Sequence, residues 1–195
     1  MHNNMDNSLV RQLIKGEEAA YRETVTTYST NVYNTALAIL QNQEDAEDIS
    51  QEVFIEVFRS VSRFRGEASL STWIYRITVT KSLEHIRKNN RKKRTGLFTR
   101  IQGKEASPEI RTEDPFYHPG ISLENRERSA ILFKAIEKLP DNQKIAFLLH
   151  KVEGLAQAEI ADIMNLSVSA VESLIVRAKQ KLKALLSVYY DNNWI

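Results

Sequence analysis

A chain of 195 residues with 42% hydrophobic side chains suits one medium domain or two small ones and is too apolar for wholesale disorder. Six glycines and four prolines are too few breakers for a turn-rich β fold, and the absence of cysteine excludes a disulfide framework and thiolate-held zinc or iron–sulfur sites. A net charge of +2 identifies no partner by itself, so the information lies in where the charges sit.

Residues 1–7 lack a basic segment followed by an apolar one, so no secretory signal is expected. Ser8 is placed to cap a first helix carrying Leu9, Val10, Leu13 and Ile14, with Gly16 as its stop. A second helix is expected from Glu17, with Tyr21, Val25 and Tyr28 on one stripe, and a third around Val32, Ala36, Ile39 and Leu40. Over 44–61, Ala46, Ile49, Val53, Val57 and Val61 recur at helical spacing while Asp45, Asp48, Glu52 and Glu56 mark another face. Residues 62–69, with Gly66, read as a loop. A helix over about 70–89 carries Leu70, Trp73, Ile74 and Ile77 and ends in the cations Arg87, Lys88, Arg91, Lys92, Lys93 and Arg94.

No sustained period follows, and Pro108, Pro115 and Pro119 mark a flexible linker over 96–124. Beyond it lie a helix with Phe133 and Ile136 that stops at Pro140, a helix capped by Asp141 that stops at Gly154, a short helix over 156–164, a turn, and a last helix from Val168. The expected fold is therefore all-α: two small helical domains, 8–95 and 125–190, joined by that linker. No apolar run approaches the roughly 20 residues of a membrane span, so a soluble cytoplasmic protein with no direct membrane insertion is expected.

Three constellations carry chemistry. Residues 154–171 have helix-turn-helix spacing, with small Ala161 between the helices and Ile160, Leu166 and Val171 placed to form their shared core. Arg177, Lys179, Lys181 and Lys183 follow, suited to phosphates. Phe64, Arg65, Gly66, Trp73, Tyr75 and Arg76 combine a polar loop with aromatics and arginines, the residue types that hold unstacked bases and backbone. Trp73 and Ile77 taken singly are better core residues than stacking platforms. The acidic residues around Asp45, Asp48, Gln51 and Glu52 have no histidine near them in sequence and suit a basic partner better than a metal or an acid–base pair. His2, His85, His118 and His150 form no ligand pattern, and no phosphate loop or nucleophile motif is present. Neither catalysis, nor a metal, nor a cofactor is expected.

In this order the constellations resemble the sigma factors of the extracytoplasmic function group. The resemblance rests on Asp45-Ala46-Glu47-Asp48, Gln51-Glu52-Val53-Phe54, Phe64-Arg65-Gly66-Glu67, Thr72-Trp73-Ile74-Tyr75-Arg76-Ile77 and Leu83-Glu84-His85-Ile86-Arg87 in the first domain. In the second it rests on Leu139-Pro140, Glu153-Gly154-Leu155, Glu159-Ile160-Ala161 and Arg177-Ala178-Lys179. It implies a factor that directs bacterial RNA polymerase to promoters and promotes their melting. Asp45, Asp48, Gln51 and Glu52 would bind core polymerase. Arg63, Phe64, Arg65, Trp73, Arg76, Arg87, Lys88 and Arg91 would contact the −10 element, with a flipped base held by the 62–69 loop. Ser167, Ser169, Glu172, Ser173, Arg177 and Lys179 would read the −35 element. Core polymerase, promoter DNA and an anti-sigma factor are the implied partners. The alternative is a helix-turn-helix regulator that does not act as a polymerase subunit; it has no need of the acidic helix or the base-holding loop.

The chain departs from the family at Ala170, Glu172 and Leu174, where threonine, a cation and arginine are common, and at Thr80, where asparagine is common. Glu172 has two readings: acceptor from a cytosine, or partner of Ser169 in a capping box.

Overall fold

The computed structural model describes residues 2–101 and 126–193, with side chains over 8–91 and 128–187. The expected linker falls largely on 102–125, outside the described residues. Every element is helical: α1 (His2–Ile14), α2 (Glu18–Leu40), α3 (Gln43–Ser60), a 3-10 turn (Val61–Arg63), α4 (Leu70–Ile101), α5 (Arg126–Ile136), α6 (Asp141–Lys151), α7 (Gln157–Met164) and α8 (Val168–Asn193).

Helix α1 begins six residues before Ser8, since nothing in its polar first turns breaks a helix. Gly16, at φ +77°, ends it as expected. The second and third expected helices are one. Ser29, Thr30 and Asn31 are modest helix formers, but each has the N–H and Cβ that a helix interior needs, so α2 runs through them. Its buried stripe is Ala20, Thr24, Val32, Thr35 and Ala36, whereas Val25 is 38% exposed. Thr24 takes an inner position by donating its hydroxyl to the Ala20 carbonyl at 2.8 Å. Thr78 and Ser82 use the same device on α4, bonding the carbonyls of Ile74 and Thr78. Helix α3 follows its periodicity: Ala46, Ile49, Val53 and Val57 are buried, and the Asn42 side chain caps its first turn by accepting from the Asp45 amide at 2.9 Å. Helix α4 runs past residue 89 and through Gly96 to Ile101, because one glycine weakens a helix without ending it.

In the second domain Pro140, not Asp141, occupies the N-cap of α6, and Asp141 is its first residue. Asn165, at φ +54°, reverses the chain after α7 and leaves Leu166 39% exposed, outside the helix-turn-helix core. That core is made by Ile160, Ala161, Ile163, Val171 and Ile175, all buried. Ser167 caps α8 by accepting from the Ala170 amide at 3.2 Å, so no Ser169–Glu172 capping box forms.

One core packs α1 to α4 around Leu13, Leu37, Ile49, Val53 and Leu70. The other is not confined to the second domain. Ala38 and Ile39 of α2, with Tyr75 and Val79 of α4, join Phe133, Ile136, Leu149, Ile160 and Ile175 in it. Across the same junction the Gln41 amide donates to the Phe133 carbonyl at 3.2 Å and Arg76 Nε donates to the Asp162 carbonyl at 2.6 Å. Burial pushes the Tyr75 hydroxyl up to about 12, aided by the nearby Glu153 carboxylate and opposed by a hydrogen bond with Asn31. Burial likewise raises the Glu153 carboxyl, which the Thr35 hydroxyl partly offsets. Glu153 Oε1 and Thr35 Oγ1 are fully covered, and neither completes a hydrogen bond of good geometry.

Two outcomes follow from this packing. Ser167→Ala removes an N-cap and costs about 1 kcal/mol in chemical denaturation, whereas Ser169→Ala stays within about 0.5 kcal/mol. A carboxyl raised by burial favours the protonated form in the packed state. Its contribution to stability is thus present at low pH and lost as pH rises through the raised value. Glu153→Gln therefore melts higher than wild type near neutral pH, and the difference shrinks on acidification to about pH 4, where the carboxyl of the unfolded chain is itself largely protonated. A constant difference across that range would remove Glu153 from the junction's pH response.

Candidate functional site

Three surfaces hold the residues singled out by sequence. On α3 the acidic residues divide into two sets. Asp45 Oδ1 lies 3.2 Å from His85 Nε2, and Lys81 Nζ lies 3.8 Å from Glu52 Oε2 and 4.0 Å from Glu56 Oε2. Asp45 and Glu52 are therefore partly committed to α4. His85 Nε2 also lies 2.8 Å from the Asn89 amide nitrogen. One ring nitrogen cannot accept from Asn89 and donate to Asp45 at once, so the two contacts compete for it. Asp48 and Gln51 are exposed and make no such contact with α4. Ile55, 57% exposed, continues their ridge at i+4 from Gln51 and i+7 from Asp48. Ile55 is not among the residues singled out by sequence. Its signal was an apolar residue on the polar face of an otherwise regular amphipathic helix.

The second surface surrounds the loop before α4. Ser69 caps α4, accepting from the Thr72 amide at 3.0 Å, and so fixes where Trp73 projects. Trp73 is half-buried with its ring centroid 5.1 Å from that of Phe64. The two rings thus shield each other and stiffen the loop base. Arg63 and Arg65 are exposed; Arg65 lies 3.9 Å from Glu67, both largely in solvent, an ion pair of small energy. Gly66, at φ +71°, makes the turn between them. Arg76 is held against the second domain through Asp162, while Arg87, Lys88 and Arg91 are exposed farther along α4. Arg76 and Arg87 are eleven residues apart, close to three full turns, so they share a face about 16 Å apart along the axis. The fold thus covers one end of that cationic strip and leaves the other open.

The third surface is α8. Ser169, Glu172, Ser173, Arg177 and Lys179 are all exposed. Ser167 is exposed too, but its hydroxyl is used in the cap and lies 3.1 Å from that of Ser169. The Ser173 hydroxyl donates to the Ser169 carbonyl at 2.9 Å. Val171, Ile175, Ala178 and Leu182 turn inward, which obliges the intervening polar and basic side chains to face out. Among the described residues no group of His, Asp and Glu side chains is arranged to hold a metal ion, and no helix is long and apolar enough to cross a membrane.

Residues 24–92 match the family model of Sigma-70 region 2, and residues 123–182 match that of Sigma-70, region 4. The chain is 30% identical over 180 residues to the ECF RNA polymerase sigma-E factor of Haemophilus influenzae, covering 91% of this chain and 93% of that protein. It is 29% identical over 181 residues to the ECF RNA polymerase sigma factor SigW of Bacillus subtilis, covering 91% and 94%. Among solved structures it shares its fold with CnrH, seen in complex with the cytosolic domain of CnrY, at a TM-score of 0.66 and 21% identity over 94% of this chain and 97% of that one. It also shares it with the sigma factor RpoE of Bartonella quintana, seen with the anti-sigma factor NepR, at 0.61 and 19% over 86% and 97%. An acidic helix, a capped loop with arginines and a helix-turn-helix, in this order and matched along nine-tenths of a relative, identify the chain as a member of the extracytoplasmic function group: it is an alternative sigma factor for RNA polymerase.

Proposed function

We propose that the three surfaces divide the work of initiation. The exposed ridge of α3, with Asp48, Gln51 and Ile55 at its centre and Asp45 and Glu52 at its α4 side, docks on core polymerase. The loop before α4, with Arg63, Phe64, Arg65 and Trp73, takes a base of the −10 element, and Arg76, Arg87, Lys88 and Arg91 hold its backbone. Helix α8 reads the −35 element through Ser169, Glu172 and Ser173, while Arg177 and Lys179 take phosphates; Ser167 acts by starting that helix. The units are 8–95 and 125–190, with 96–124 linking them. Sigma factors regulate transcription rather than catalyse a reaction, and this chain supplies selection and melting in the cytoplasm while polymerase supplies the chemistry.

The observation that carries this reading is the segregation of opposite charge on two exposed helix faces, acidic on α3 and basic on α8. A protein that only bound DNA would gain nothing from the first, since carboxylates repel phosphates.

The contact between α4 and α7 gives the reading a consequence. Elements named −10 and −35 lie about 25 base pairs apart, on the order of 80 Å along a duplex. Domains that share a core cannot span that distance, and in the packed form the Arg76 Nε is occupied by the Asp162 carbonyl. The junction opens when the factor engages a promoter. An anti-sigma factor, of the kind bound to the Bartonella quintana sigma factor, holds the chain in its packed form.

The direct test is transcription in vitro with sigma-free core polymerase on fragmented source DNA, with transcript 5′ ends mapped. New start sites sharing upstream elements are expected. Their absence with active polymerase and folded protein counts against the reading. The double variant Asp48→Lys, Ile55→Asp weakens core binding by about tenfold or more, as for loss of central contacts in an interface, without lowering thermal stability. Unchanged affinity in pull-down moves the docking site off α3. Alanine at Arg177 and Lys179 lowers the salt dependence of duplex binding by about one phosphate contact each. An unchanged slope takes both residues out of the DNA interface.

A further inference from the structure

The outward ridge of α8 holds a charge of the wrong sign for phosphate. Glu172 is exposed, and no ion pair satisfies it among the described residues. The helix provides no compensation either. Its neighbours at i−4, i−3, i+3 and i+4 are Val168, Ser169, Ile175 and Val176, none of them a cation. The cap that would have used the carboxylate is made by Ser167 instead. Beside it the surface is apolar. Val168 is 47% and Val176 46% exposed, each one turn from Glu172 on the same face, and Leu166 is 39% exposed at the preceding turn. Three of the six large hydrophobics left exposed among the described residues thus lie within eleven residues of the chain. Arg177 and Lys179 sit beyond this patch and supply the cations.

The chemistry of the patch limits what it can face. In the major groove guanine presents two acceptors and thymine an acceptor and a methyl group, and a carboxylate gains nothing from an acceptor. Adenine presents a donor beside an acceptor, N7, that repels the second carboxylate oxygen. Cytosine alone presents an amine donor with no acceptor of its own at that edge. Valine side chains one turn to either side suit the 5-methyl of thymine, whose burial is favourable and which no other base carries.

Resting on the assignment of α8 to the −35 element, we infer that Glu172 is a specificity-determining residue that selects cytosine in that element, with Val168 and Val176 selecting thymine at flanking positions. Its contribution is discrimination rather than affinity: it penalises every duplex without a cytosine amine at that place.

The experiment uses the full-length chain bound to core polymerase and a promoter library randomised across the −35 element. Wild type enriches one cytosine position flanked by thymine. Changing that cytosine to guanine weakens wild-type binding by about 5- to 150-fold, the usual cost of one mismatched pair. Glu172→Gln moves the preference at that position alone to adenine, because an amide pairs with its N6 and N7. Glu172→Ala flattens the position and leaves the others unchanged. Replacing the flanking thymines by uracil weakens wild type and leaves Val176→Ala less affected. Because Glu172 is solvent-exposed, these variants keep the wild-type melting temperature, which is checked first. If Glu172→Ala selects the same sequence as wild type, or tightens binding to all sequences equally, the proposal is overturned while the −35 assignment stands. If no upstream element is enriched and the Arg177 and Lys179 variants also bind as wild type, the assignment itself falls.

Discussion

Apolar contact between α4 and the second domain governs the rest of this molecule. Tyr75 and Val79 lie on the same helix as Trp73 and Arg76, so the surface that packs the domains together shares turns with the surface proposed to face DNA. An apolar side chain cannot serve two partners at once. Burial of Tyr75 and Val79 against Phe133, Ile136 and Ile160 thus favours the packed form by the hydrophobic effect. The junction also carries covered polar groups, Glu153 and Thr35, whose hydrogen bonding is incomplete. An interface of this mixed composition is less stable than a uniformly apolar core of the same size, because buried polar atoms without partners cost free energy. Such a junction suits the proposed passage between a packed form and an extended one on DNA.

The same economy of surface appears on α3. Lys81 and His85 of α4 draw Glu52, Glu56 and Asp45 toward the fold, while Asp48 and Gln51 stay in water beside exposed Ile55. The acidic helix is therefore two surfaces. One anchors α3 on α4 through partly exposed ion pairs of modest energy. The other combines the open Asp48 carboxylate and Gln51 amide with an apolar side chain, the composition of a docking centre with a polar surround. Family likeness named four residues there, and side-chain geometry separates those partly used inside the chain from those free for a partner.

Much of this was legible in the residues. The periodicity of α3 and α8, the stops at Gly16 and Gly154, and the turn after α7 follow from spacing and from backbone preferences that act within a few residues. The departures are also local in cause. Thr24, Thr78 and Ser82 look polar but are buried, because a hydroxyl bonded to the carbonyl one turn back hides its polarity. Val25 and Leu166 look like core and are exposed, since hydrophobicity does not say which of two adjacent stripes meets a neighbour. Asp141 looks like a cap, yet Pro140 already provides the extended backbone that opens α6.

By itself the sequence determined the helical fold, the order of its units and the kind of work each could do, because helix period, breakers and charge placement are properties of short stretches. It also carried Glu172 and its uncompensated charge in plain view, since the neighbours at helical spacing can be counted directly. Only the tertiary structure decided that Arg76 is bound to Asp162, that Ser167 rather than Ser169 caps α8, and that two domains share one core. Those outcomes depend on side chains more than thirty residues apart, or on a choice between adjacent hydroxyls. Spacing along a chain has no term for either.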